Sequence, residues 1–336
     1  MRLYMALALL SILLTGLSQG ASSETQVKVA VTMPALGAIV EEVGGERVQV
    51  ISLLPQNVDP HSYEPSIESI LEAISGASMV VMSGPSHLPI EEKIRRLAEE
   101  GLLTASITDH RDYEVAGLLL LRIPETGVIN PHGYFFSFSG QMSIAKACAA
   151  KLKKIDPLNA NYYEERLSRY LQRLSKLEER IKAMDVGGVD VIIGGPDLQY
   201  LAEDLDLNVV DIVVKAHGVE PTTQDVIKAI NMVKKGEASA VIMSDIEAGE
   251  NPTLLGMLRD NDIPYVIVPV SELVDEPELI PLVTASLMKN GLGGGAAGTK
   301  TTGGLMDFIA VPSLAANLVL LLLVILLLIK VKRYVG

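Results

Sequence analysis

The chain has 336 residues, with 41 Asp plus Glu against 28 Lys plus Arg and a formal net charge of −13. That length allows about two domains and excludes a mini-domain, and the acidic balance has the wrong sign for a nucleic-acid surface. The single cysteine, Cys148 in Ile144-Ala-Lys-Ala-Cys-Ala-Ala, excludes an internal disulfide, a structural zinc cluster and an iron–sulfur centre, and reads as a core residue.

The N-terminal segment, residues 1–20, reads as a secretory signal. Arg2 precedes the apolar run Leu7 to Leu14, and Ser18-Gln19-Gly20 puts small residues at both cleavage positions. No cysteine follows that run, so attachment of lipid to a processed N-terminal Cys is not expected. An N-terminal α/β lobe follows over residues 26–156. Val27-Lys-Val-Ala-Val-Thr predicts a buried strand, Leu36 to Val43 a helix ending at Gly44-Gly45, and Val48-Gln-Val-Ile-Ser-Leu-Leu a second strand. Ile67 to Ile74 is spaced as a helix, Met79-Val-Val-Met as a strand closed by Ser83-Gly84-Pro85, and Ile90 to Leu97 as a helix.

Residues 157–186 form the link between lobes. Within it, Leu158 to Met184 carries Leu167, Tyr170, Leu171, Leu174, Leu177 and Ile181 at intervals of three and four, the mark of one long amphipathic helix able to run along two lobes. A second α/β lobe follows over residues 187–290. Its strands are expected at Val189-Asp-Val-Ile-Ile, Val209 to Val214, Ala238 to Met243 and Tyr265-Val-Ile-Val-Pro, and its helices at Leu198–Asp204, Asp225–Lys235 and Thr253–Leu258. Strands alternating with helices imply parallel sheets covered on both faces, so the expected fold class is α/β, two Rossmann-like lobes joined by a long helix. Residues 291–305 are a Gly-rich tether. Residues 306–330 hold the uncharged run Phe308 to Ile329, long enough to span a ~30 Å hydrocarbon core as a transmembrane anchor. Lys330, Lys332 and Arg333 come next and place the C-terminus in the cytoplasm and the body outside.

In open α/β sheets ligands gather beyond the carboxyl ends of strands, so the polar residues of those loops carry the functional argument. The chain has five histidines. His61 lies in Leu54-Pro-Gln-Asn-Val-Asp-Pro-His-Ser-Tyr-Glu-Pro65 and His132 in Ile129-Asn-Pro-His-Gly-Tyr134, each after a proline that stiffens the loop. Asp245 ends Ala240-Val-Ile-Met-Ser-Asp245, at the carboxyl end of a second-lobe strand. Imidazoles with a carboxylate in a cleft form a donor set for zinc or manganese. His87 reads as an exposed helix-entry residue, and His110, in Thr108-Asp-His-Arg-Asp-Tyr, as part of a solvated charged turn. Glu64 is expected either to orient His61 or to cap the helix that starts after Ser66. Arg95, Arg96, Lys151, Lys153 and Lys154 read as solvated helix faces.

Over Val27 to about Leu287 the sequence resembles the extracytoplasmic substrate-binding proteins of zinc- and manganese-type ABC transporters. The resemblance rests on Val31-Thr32, Gly44-Gly-Glu-Arg-Val-Gln-Val50, Asp59-Pro-His-Ser-Tyr-Glu-Pro65, Gly76-Ala-Ser-Met-Val-Val and the Gly84 turn. It continues through Asn130-Pro-His-Gly-Tyr134, Ile155-Asp-Pro-Leu-Asn-Ala-Asn-Tyr162, Tyr200-Leu-Ala-Glu and Glu220-Pro-Thr-Thr-Gln-Asp. It implies two α/β lobes on one backbone helix and a divalent ion, Zn2+ or Mn2+, held between the lobes as cargo for an ABC permease and its ATPase. The implied ligands are His61, His132 and Asp245. Family members carry His or Glu at the position of Gly195, so the third ligand falls instead on Asp197 or on His217 in Lys215-Ala-His-Gly-Val-Glu. Two histidines with oxygen donors favour manganese or iron, and recruitment of His217 favours zinc. With the anchor read from the C-terminal apolar run, the expectation is a membrane-anchored, monomeric metal receptor that is not an enzyme, whose binding weakens below about pH 6 as imidazole is protonated.

A second reading keeps the fold and loses the metal, leaving a cleft for another small ligand or a sensor or adhesion module, as Gly195 suggests. A third, a metallohydrolase with Glu64 as base, lacks any nucleophile or HExxH pattern.

Overall fold

The computed structural model describes residues 26–55, 58, 60–84, 88–124, 126–215 and 221–292. The signal segment, Asp59, His87, His217, most of the tether and the anchor lie outside the described residues. Among the described residues no helix is long and apolar enough to cross a membrane.

The first lobe is built on strands β1 (Val27–Val31), β2 (Val48–Ser52), β3 (Met79–Val81) and β4 (Ser106–Thr108), all parallel, in the order β2-β1-β3-β4. Its helices are α1 (Pro34–Gly44), α2 (Ile67–Ala73), α3 (Pro89–Glu99), α4 (His110–Val115) and α5 (Phe138–Ile155). After a 3-10 turn at Pro157–Asn159 comes α6 (Ala160–Lys182). The second lobe repeats the plan with β5 (Asp190–Ile193), β6 (Asn208–Ile212), β7 (Ala240–Ser244) and β8 (Tyr265–Val268), parallel in the order β6-β5-β7-β8. Its helices are α7 (Gln199–Asp204), α8 (Thr223–Lys234), α9 (Asp245–Glu250), α10 (Pro252–Asp260) and α11 (Ile280–Leu292).

The strands are short apolar runs because parallel sheets are buried on both faces. Val29, Ala30, Val80 and Val81 are fully enclosed in the first sheet, and Val191, Ile192, Ala240 and Val241 in the second. Each lobe has its own core: Ile70, Met82 and Ile94 pack beneath the first sheet, Val226, Leu254 and Leu258 beneath the second. Helix α6 spans 23 residues, about 34 Å at 1.5 Å per residue. It buries Tyr163, Leu167, Tyr170, Leu174, Leu177 and Ile181, and packs on α1 and α5 of the first lobe and on α11, which itself lies against β8. Side-chain bonds add to this bridge. The Tyr170 hydroxyl donates to Gln141 Oε1, the Gln141 amide donates to the Pro277 carbonyl, and Arg173 pairs with both Glu42 and Glu278.

The sheet orders place a switch point between β1 and β3 in one lobe and between β5 and β7 in the other, where helices leave to opposite faces. Thr32, Ser83 and Gly84 stand at the first switch point, and Gly194, Gly195, Ser244 and Asp245 at the second.

Several readings change. His110 is not solvated: it is buried at the first position of α4, behind the N-cap residue Asp109, with Nδ1 3.7 Å from an Asp109 oxygen. Burial pulls its pKa below the ordinary histidine value. Arg95 is likewise no solvated residue, because its guanidinium donates to Asp109 at 2.8 Å with most of the side chain covered. Glu64 does not cap α2; that role falls to Ser66, whose hydroxyl accepts the Ser69 N–H at 3.1 Å, while Glu64 pairs with Lys93 at 3.6 Å. The long helix starts at Ala160, since Pro157 opens the preceding 3-10 turn. Cys148 is buried in α5 as expected, and burial raises its thiol pKa.

Candidate metal centre

Two loops carry the histidines. His61 stands on the turn that follows β2, and His132 on the turn that leads through a 3-10 segment at Tyr134–Phe136 into α5. Their rings meet with centroids 5.4 Å apart, tilted by 50°. Residues 71 positions apart in sequence are thus presented side by side.

The His132 turn is held from both lobes. Asn130 accepts the His132 N–H at 2.9 Å through its side-chain oxygen, and its amide donates to the Pro196 carbonyl at 2.7 Å and to Gln199 Oε1 at 2.9 Å. The Asn130 carbonyl accepts from the Tyr200 hydroxyl at 2.6 Å, and the same hydroxyl accepts the Leu121 N–H at 2.9 Å. Asn130 is fully buried, so these bonds replace the water that its amide loses. Gly133 sits at φ +75°, and a Cβ there would overlap the carbonyl of Asp197, so only glycine lets the turn lie this close to the second lobe. Tyr134 is buried next to it, with its hydroxyl donating to the Ser83 carbonyl and its ring edge-on to Tyr200 at 6.0 Å. The imidazole of His132 therefore projects from a turn braced by the first-lobe switch point on one side and residues 196–200 on the other.

The second lobe offers carboxylates. Asp245, at the start of α9, accepts from the N–H and hydroxyl of Ser271 and so ties α9 to the segment after β8. Asp197, in the 3-10 turn Pro196–Leu198, faces Glu247 of α9. Glu247 is buried at the third position of that helix, where a capping box with Ser244 turns its carboxylate back over the strand end; Oε2 accepts the Ser244 N–H at 3.0 Å. Both carboxyls are held above the ordinary range, chiefly by burial, and for Glu247 also by the neighbouring Asp197. The position of Gly195 explains its lack of a side chain: a Cβ there would collide with Glu247 Oε1 and stand 3.1 Å from Asp197 Oδ1.

The structure brings together His61 with His132, and Asp197 with Glu247. It engages Asp245 with Ser271. Among the described residues no three His, Cys, Asp or Glu side chains gather closely enough to hold an ion. Glu247 was absent from the sequence-derived candidates, yet Ser244-Asp-Ile-Glu247 has the S-x-x-E form of a capping box, which places a glutamate beside a strand end.

Comparison with known proteins adds the family. Residues 29–258 match the family model "ZnuA: Zinc-uptake complex component A periplasmic". The manganese ABC transporter substrate-binding lipoprotein PsaA of Streptococcus pneumoniae is 29% identical over 177 residues, 49% of this chain and 56% of that protein. The manganese-binding lipoprotein MntA of Halalkalibacterium halodurans is 28% identical over 147 residues, 44% of this chain and 45% of that protein. The chain's matches thus span about half the length of these curated relatives. Among solved structures, FpvC from Pseudomonas aeruginosa in complex with Mn2+ superposes with a TM-score of 0.65 at 23% identity, covering 80% of this chain and 99% of that one. A ZnuA crystal structure gives 0.63 at 21% identity, covering 78% and 99%. These two share the fold.

Proposed function

The chain belongs to the zinc-uptake complex component A family, and on that premise we propose that it is a binding protein, not an enzyme, that captures a divalent transition metal, Zn2+ or Mn2+, for import by an ABC permease and its ATPase. The observation that carries the reading is the meeting of the His61 and His132 rings on loops that both belong to the first lobe. Neutral imidazoles and carboxylates replace the water of the captured ion, and release follows when the two lobes' loops part. Oxygen donors from the second lobe alongside two imidazoles favour manganese, consistent with the names of the relatives.

Placement at the membrane is part of the proposal. The secretory signal sends the body across the membrane, and the apolar run Phe308 to Ile329, followed by Lys330, Lys332 and Arg333, anchors it with the C-terminus inside. The relatives named above are lipoproteins; here the only cysteine is buried in α5, so a C-terminal helix takes over the tethering.

A cell whose own gene for this chain is deleted is expected to accumulate less manganese or zinc, to recover with the wild-type gene, and to fail to recover with His61→Ala or His132→Ala at equal protein level. Recovery with both variants contradicts the proposal. Gly195 supports a second reading, a cleft turned to another small ligand or to sensing or adhesion; unchanged metal content on deletion favours it.

A further inference from the structure

Each lobe carries one buried glutamate at the third position of the helix that follows its switch-point strand, and the two differ in how they are satisfied. Glu91 in α3 accepts from the Thr32 hydroxyl, from the Ser83 N–H and hydroxyl, and from the Gly84 N–H. With those donors around it, Glu91 is complete as a structural clamp. Glu247 in α9 receives its donors from Ser244 and otherwise faces Asp197, another carboxylate. Oδ1 of Asp197 is buried without a hydrogen-bond partner among the described residues. Two carboxylates pressed together out of water repel when both are charged, and either a shared proton or a cation must resolve the conflict.

The surroundings connect this pair to the histidines. Gly194 and Gly195 leave a slot at the end of β5, and the Glu247 carboxylate fills it, so that a side chain at either position would strike Glu247 oxygens. The same Asp197 whose Oδ1 is unsatisfied packs its carbonyl on Gly133, one residue from His132. The carboxylate pair is thereby joined through a rigid turn to the histidine pair. Asp245, by contrast, has its carboxylate occupied by Ser271.

We infer that Glu247, with Asp197 beside it, supplies the second lobe's ligands to the captured ion, and that Asp245 braces the segment after β8 instead. Gly195 and Glu247 form a reciprocal pair: the backbone gives up a side chain so that a carboxylate from α9 can occupy its place. The two pairs are half-sites, and the ion draws them together. This assignment rests on the metal-receptor reading.

The test uses the full-length chain, purified in mild detergent, stripped of metal and titrated separately with Mn2+ and Zn2+ by calorimetry. Glu247→Gln keeps the Ser244 bond and is expected to weaken Mn2+ binding by at least the ~10–100-fold that loss of even an outer-shell partner costs. It should weaken Zn2+ less, because removing oxygen donors raises the imidazole share of the site; a purely structural loosening weakens both alike. Asp245→Asn should leave both affinities unchanged. Gly195→Glu alone should disrupt the site, and Gly195→Glu with Glu247→Ala should recover Mn2+ binding. Mn2+ binding that persists in Glu247→Gln, or that is lost in Asp245→Asn while Glu247→Gln binds normally, overturns the assignment and leaves the receptor reading standing. Failure of the folded wild-type chain to bind either ion overturns the receptor reading and the assignment together.

Discussion

Glu91 and Gly133 show how single residues decide what the site loops can do. Glu91 is fully buried, and burial raises its pKa against the pull of its donors. Replacing it by alanine removes the buried acceptor of the Ser83 and Gly84 N–H groups in the core of the first lobe. At about 1–3 kcal/mol for a stranded group, we expect Glu91→Ala to cost about 3 kcal/mol or more, read from urea unfolding. Gly133→Ala adds positive-φ strain to an overlap with the Asp197 carbonyl. A loss of about 1–3 kcal/mol is expected, with weaker metal binding because His132 moves with its turn. Unchanged stability in Gly133→Ala contradicts the close approach. At this scale the sequence was informative where chemistry announces itself: two Pro-His turns singled out His61 and His132, whose rings the fold brings together. It was silent where a residue's role depends on a distant partner. His110 and Arg95 looked solvated because nothing local to Thr108-Asp-His-Arg-Asp shows that α3 covers it.

Element by element, strongly periodic segments were legible and unpatterned ones were not. Leu167 to Ile181 forecast α6 because one face is apolar and the rest charged. Helix α5 gives a weaker signal: Gly140, Ser143, Ala145, Ala147, Cys148 and Ala149 are all buried, so its small residues face packing on several sides and leave little amphipathic contrast. The short strand β4 and the one-and-a-half-turn helix α9 were absent from the sequence reading, each too brief for a period to show. Helix α5 begins at a contact with the second lobe, where the Asp204 carboxylate of α7 accepts the Phe138 N–H and so faces the helix's positive end. Burial nevertheless pushes the Asp204 pKa up to about 7, from the ordinary aspartate value of 3.8. The folded state then holds more protons than the unfolded one between these values, so this group's contribution to stability is greatest at acid pH and is lost as pH rises through about 7. Asp204→Asn keeps an acceptor for Phe138 and cannot ionise. Its stability relative to wild type should therefore rise steadily from about pH 4 to pH 7 and level off above, as followed by thermal unfolding across that range. A flat difference contradicts the burial of a charged Asp204.

For the molecule as a whole, two parallel sheets of the same strand order, joined by α6, place two switch points where loops from both lobes meet. That architecture was readable from alternating strands and helices, and so was a site shared by histidines of the first lobe and a carboxylate of the second; the pairing of Asp197 with Glu247 was not. Gly195 reads as a lost ligand in the sequence, and the glutamate that occupies the space of its missing side chain comes from α9, more than fifty residues away in the chain. In the proposed site a histidine pair from one lobe and a carboxylate pair from the other hold the ion, and the proposal stands first on capture of a transition metal by the histidine pair. Calorimetric titration of the metal-free full-length chain with Mn2+ and Zn2+, repeated on His61→Ala and His132→Ala with folding checked by circular dichroism, tests it most directly. One site per chain is expected in the wild type, lost in both variants. A folded wild type that binds neither ion, or variants that bind as the wild type does, would contradict it.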